Sequence, residues 1–187
     1  MKGFLSATWV LIALAVGLAP TSTASAQAGD GEAAALDIAE GERLVRNMDC
    51  NACHTPKVMT DRGPQPDPER LLSGHPAGEA LPPRPADLIG SGSWGGLFSP
   101  GLTAWAGPWG VSFASNLTPD EDTGIGSWSL ELFVTSMRTG TKPGDLRPFL
   151  PPMPTYSGLT DDELRAIFAY LRSLEPVANE VPAALKP

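Results

Sequence analysis

The chain has 187 residues, enough for one domain and a leader, and its formal net charge is −8. That balance argues against nucleic acid and anionic membrane surfaces as partners, since both repel it. With 20 glycines and 20 prolines, much of the fold must be loop.

Met1-Lys2-Gly3-Phe4-Leu5 carries one positive charge, residues 7–18 form an apolar run, and Ala24-Ser25-Ala26 offers a small-residue cleavage site. The pattern predicts a secretory signal peptide over residues 1–26, because the run is too short for a bilayer span. An uncleaved anchor is the other reading of the same run. No other long apolar run follows, so the exported chain is expected to have no stable membrane span. Residues 27–36, rich in Ala and Gly, read as a flexible start.

Over 36–48 the periodicity becomes helical, with Ile38, Leu44, Val45 and Met48 on one face. Glu40 with Arg43 and Glu42 with Arg46 are spaced for helix-surface pairs. Gly41 is costly inside a helix; it is either tolerated there or marks the close approach of another backbone. The helix is expected to run straight into Cys50-Asn51-Ala52-Cys53-His54.

That pentad is the c-type haem attachment pattern. Two thiols across two small residues can reach the two vinyl groups on one haem edge and form thioethers. The next side chain, His54, can then supply a nitrogen to the proximal face of the iron. The chain holds two cysteines and two histidines, and three of those four lie here. Three other readings of Cys50 and Cys53 are a redox dithiol, which wants a βαβ context, half a zinc site, which wants a second Cys/His pair, and a structural disulfide, which would be strained across two residues. Thioether attachment takes place outside the cytoplasmic membrane, so leader and pentad support each other.

Residues 55–115 are dense in Pro and Gly, include Trp94, Trp105 and Trp109, and show hardly any periodicity. They read as an ordered long loop covering the cofactor or forming a docking face. His75 lies there between Gly74 and Pro76. It reads as a turn residue, with iron ligation as the competing role.

Asn116-Leu117-Thr118-Pro119-Asp120-Glu121-Asp122-Thr123-Gly124 is turn chemistry. Its carboxylates could hold a hard cation but lack the spacing of a dedicated loop. Ser129 is placed to cap a helix over 130–139 that Gly140 ends, with Leu132, Phe133 and Met137 on its apolar face. Leu150-Pro151-Pro152-Met153-Pro154 follows. Prolines stiffen the backbone around Met153, which suits a weak thioether ligand that must be aimed. The plainer reading is a surface methionine. Thr160-Asp161-Asp162-Glu163 is a capping box, and the helix after it runs to Leu174 with Leu164, Ile167, Phe168, Leu171 and Leu174 as its buried stripe. Residues 181–187 are a tail.

The expected fold is all-α: a few helices around one covalent haem, interrupted by the 55–115 loop insertion. The order of elements resembles a class I cytochrome c domain over 37–180. The Asn116–Asp120 and Thr123–Trp128 stretches, the Met153 loop and the final helix resemble the haem domains of cytochrome subunits of bacterial alcohol, aldehyde and gluconate dehydrogenases. The resemblance implies haem c held by Cys50 and Cys53, with His54 and Met153 as the axial iron ligands. It implies that Trp128 reaches a haem propionate and that Gly41 lets the terminal helices cross closely. It also implies electron transfer in the periplasm, between a dehydrogenase or other donor and an oxidase or other cytochrome acceptor. Those subunits carry several haems, whereas this chain has one attachment motif, which points to a carrier or a small accessory subunit and to no catalysis of its own. Arg138, Lys142 and Arg147 could form a basic rim for an acidic partner. The alternative function is a haem enzyme or gas-binding sensor with an open distal iron site.

Overall fold

The computed structural model describes residues 24–83, 95–144 and 147–187. The signal-peptide expectation falls almost wholly outside that set, as does Trp94.

Among the described residues four helices carry the frame. α1 (Ala24–Asn47) and α4 (Asp161–Ser173) make the most extensive pairing, and α3 (Leu130–Thr139) packs on α4. α1 starts well before the expected 36, at the end of the segment read as a signal peptide, and runs through the one read as a flexible start. It also stops before the pentad. Met48 and Asp49 make a break, and Asp49 sits in the left-handed region at φ 57°, which a short polar side chain tolerates. The pentad is a separate single turn, α2 (Cys50–His54).

Gly41 decides the α1–α4 crossing. A Cβ there would run into the Ala166 carbonyl and the Tyr170 Cβ, so the two helices touch at backbone distance. Around this contact Leu44, Val45, Phe133, Met137, Leu164, Ala166, Ile167, Tyr170 and Leu171 form the core with Leu72 and Ile125. Phe168 stacks obliquely on Phe133 at 5.1 Å. Leu132, expected on the apolar face of α3, is instead 37% exposed.

Helix ends follow local chemistry. Ser129 caps α3 by accepting from Leu132 N, and Gly140 closes it at φ 66°. The Thr160/Glu163 capping box at α4 is reciprocal. Arg43 bonds Glu40 through two nitrogens and Arg46 bonds Glu42; these surface pairs add little to stability.

The all-α expectation is overturned by residues 55–115. β1 (Lys57–Thr60) and β2 (Gly63–Pro66) form an antiparallel hairpin, and a short 3-10 turn follows at Pro68–Arg70. β3 (Leu97–Phe98), β4 (Ala104–Gly107) and β5 (Gly110–Phe113) form a second antiparallel sheet in that order. The strands have two to four residues each, too few for a period-2 pattern to stand out. The tail adds to this sheet: Val111 and Leu185 exchange backbone hydrogen bonds of 2.9 and 3.0 Å.

Replacing Gly41 with Val should lower the unfolding free energy by about 3 kcal/mol or more, since backbone cannot yield as side chains do. Gly158, with no atom within 4 Å of the place a Cβ would take, should accept Ala within about 0.5 kcal/mol. Urea denaturation of both variants checks the contrast.

Candidate functional site

α2 places Cys50, Cys53 and His54 at i, i+3 and i+4, which is one face of a helical turn. Both thiols are free and half-buried. Burial pushes Cys50 up to about 11 and raises Cys53 as well. The turn has no side-chain cap at Asp49; at its C-terminal end Lys57 Nζ donates to the carbonyls of Asn51 at 3.3 Å, Ala52 at 3.0 Å and Thr55. A cation among terminal carbonyls is the favourable placement for the helix dipole.

His54 is 7% exposed. Its Nδ1 lies 2.8 Å from the Ser115 carbonyl oxygen. A carbonyl cannot donate, so Nδ1 carries the proton. Burial lowers the pKa of His54, which favours the neutral ring. In that form Nε2 keeps its lone pair, as a metal-binding imidazole requires.

The backbone that holds His54 comes from the insertion. Gly74 N donates to His54 O at 2.7 Å, Leu72 N to Thr55 Oγ1 at 2.9 Å, and Leu117 N to Leu72 O at 2.9 Å. Gly74 has φ 83°, and a Cβ there would meet the backbone of residues 114–116. Two segments, 71–75 and 114–117, therefore lie behind the attachment turn.

Met153 is half-buried and packs against the core, as do Cys50, Trp128 and Tyr156. Its loop is tied at both ends to α3: Phe149 N donates to Gly140 O at 2.6 Å, and Tyr156 N to Met137 O at 2.9 Å. Burial, reinforced by the nearby Cys50 and Cys53, pushes the Tyr156 phenol up to about 12. The loop after Met153 thus lies within electrostatic reach of both thiols.

His75 ends the 71–75 segment behind the attachment turn. It is fully buried, with its ring 4.8 Å from that of Phe113 and its Nδ1 2.9 Å from Thr103 Oγ1. The acidic turn bonds to itself: Asp120 Oδ1 accepts from Thr123 N at 2.8 Å and Thr123 Oγ1 at 2.6 Å, which lowers its pKa. No cluster of three metal-ligating side chains occurs among the described residues. Arg138, expected on a basic rim, pairs with Asp161 at 2.5 Å.

Ser115, Tyr156 and Lys57 were not singled out by sequence. Ser115 acts through its carbonyl, which no side-chain pattern reports. Tyr156 follows Met153 closely enough to be suspected. Lys57 could be read as the cation just past a helical turn.

No family model matches the chain. The chain is similar to the cytochrome c subunit of the quinone-dependent alcohol dehydrogenase of Gluconobacter oxydans, with 29% identity over 91% of this chain and 28% of that protein. It is 30% identical to the cytochrome c subunit of gluconate 2-dehydrogenase of Pantoea cypripedii, over 76% of this chain and 24% of that protein. A subunit of the nicotinate dehydrogenase of Pseudomonas putida is 38% identical over 48% of this chain and 8% of its own length. The chain thus spans under a third of each of these relatives. The expected resemblance to dehydrogenase cytochrome subunits holds.

Changing Thr55 to Val keeps the side chain's shape but leaves the Leu72 N–H buried without its acceptor. A loss of about 1–3 kcal/mol is expected, read from the denaturation midpoint.

Proposed function

We propose that this chain is a monohaem c-type cytochrome, exported to the periplasm, that passes single electrons from a dehydrogenase or other redox donor to a respiratory acceptor. The similarity to cytochrome subunits of dehydrogenases supports electron transfer in place of catalysis. Among the described residues no helix is long and apolar enough to cross a membrane.

The observation that carries the reading is the state of the pentad. Two unpaired thiols share one helical face with an imidazole whose Nδ1 proton is already engaged by Ser115 O. These residues fit haem c. Cys50 and Cys53 would anchor it through thioethers, His54 Nε2 and Met153 Sδ would bind its iron, and Trp128 would partner a propionate. Bound haem supplies a one-electron couple at iron, whose potential Met/His ligation raises.

The chain's own residues then have defined tasks. Ser115 O holds the Nδ1 proton and so fixes the ring's tautomer and orientation. The apolar faces of Met48, Leu71, Leu117, Leu159 and Tyr156, packed around the core, limit water. The prolines around Met153 reduce the entropy lost on aiming its thioether. With Met153 bound to iron, a substrate or gas would find no open site there; His75 bonds Thr103 through Nδ1 and keeps a buried Nε2 without a partner among the described residues.

The reduced protein should show a c-type spectrum that carbon monoxide does not shift. Met153→Ala should bind the gas and have a lower midpoint potential; an unchanged spectrum and potential would remove Met153 from the iron. Replacing Cys50 and Cys53 together with Ala should abolish haem staining of the denatured chain, and persistent staining would rule out thioether attachment.

A further inference from the structure

We propose that Ser112, on β5 of the inserted sheet, is a positioning residue that holds Met153 in ligating range. The inference rests on the reading of Met153 as the distal ligand.

The Met153 loop has few means of attachment. Pro151, Pro152 and Pro154 have no N–H to donate, and Met153 N turns inward to Leu150 O at 3.2 Å. Between the ties at Phe149 and Tyr156, one hydrogen bond among the described residues reaches the loop from outside: Ser112 Oγ donates to Pro151 O at 2.6 Å. Pro151 stands two residues before Met153, so this bond governs where the thioether is presented.

The serine is built for that direction. It is 7% exposed, so water competes weakly for its hydroxyl. Trp109 Nε1 donates to Ser112 Oγ at 3.3 Å, which occupies a lone pair and leaves the hydroxyl proton for an acceptor. The other acceptor nearby, Trp105 O, is farther at 3.4 Å. β5 itself is held on one side by β4 and on the other by the tail at Leu185. A chain of contacts thus runs from Trp109 through Ser112 to Pro151 and the ligand loop. It gives the inserted segment a task at the cofactor, distinct from covering it.

A neutral hydrogen bond of the usual worth corresponds to roughly five- to tenfold in an equilibrium between attached and detached methionine. The test titrates imidazole, a competitor for the methionine's place, into the oxidised holoprotein and follows the far-red methionine-to-iron band. Ser112→Ala should bind imidazole about five- to tenfold more tightly and weaken the band. Ser112→Thr, which keeps the hydroxyl, should restore both. Trp109→Phe, which removes only the orienting N–H, should move both in the same direction by less. Ser99→Ala removes a buried hydroxyl from the turn between β3 and β4, where it accepts from Ala104 N, and should behave as the unaltered protein. If Ser112→Ala matches the unaltered protein while Met153→Ala binds imidazole tightly, the positioning role is overturned and the ligand assignment stands. Equal effects of Ser99→Ala and Ser112→Ala would overturn it too, as general loosening of the sheet. If Met153→Ala changes neither imidazole affinity nor the band, the ligand assignment itself fails.

Discussion

The hydrogen bond from His54 Nδ1 to the Ser115 carbonyl is the constraint on which the site depends. α2 is five residues long and has no side-chain cap, so it cannot hold an imidazole in place by itself. Its geometry is imposed from behind, by segments 71–75 and 114–117, and from its C-terminal end by Lys57. The same bond sets the tautomer. It leaves Nε2 as the nitrogen with a free lone pair, and burial favours the neutral ring.

From this follows the place of the inserted segment. It is not an appendage on a helical frame. Leu72, Thr103 and His75 are fully buried, and Leu72 belongs to the same core as the α1–α4 crossing. The C-terminal tail closes the arrangement. Asn179 Nδ2 donates to Ser73 O at 2.7 Å and His75 O at 2.9 Å, while its Oδ1 accepts from Ala77 N at 2.8 Å. Asn116 does the same nearer the core, donating to Val177 O at 2.8 Å while accepting from Thr118 N at 3.0 Å. The two asparagines satisfy backbone groups of these segments pairwise, so a Pro- and Gly-rich stretch can be ordered without long regular elements, although the buried His75 Nε2 has no partner among the described residues.

α3 and α4 were legible because their determinants are local. Ser129 and Gly140 bound α3, and Thr160 with Glu163 starts α4, by bonds between residues three or four apart. The pentad was legible for the same reason, as its spacing within one turn is its chemistry. The strands were not. Val58 and Met59 face solvent at 38% and 75% exposure, and β3 has two residues, so neither alternation nor burial marked them. Gly41 stood between these cases: its presence in a helix raised the question, and only the Ala166 backbone beside it answered.

By itself the sequence determined the ends of α3 and the start of α4, the thiol–thiol–imidazole face, the stiffened methionine and the class of cofactor these residues suit, since each is set within a few consecutive positions. Tertiary structure decided what partners each of them. Ser115 O against His54, Ser112 against Pro151 and Asn179 against residues 73–77 join positions 61, 39 and over 100 residues apart. Contacts of that range depend on how the whole chain folds back, and no local pattern encodes them.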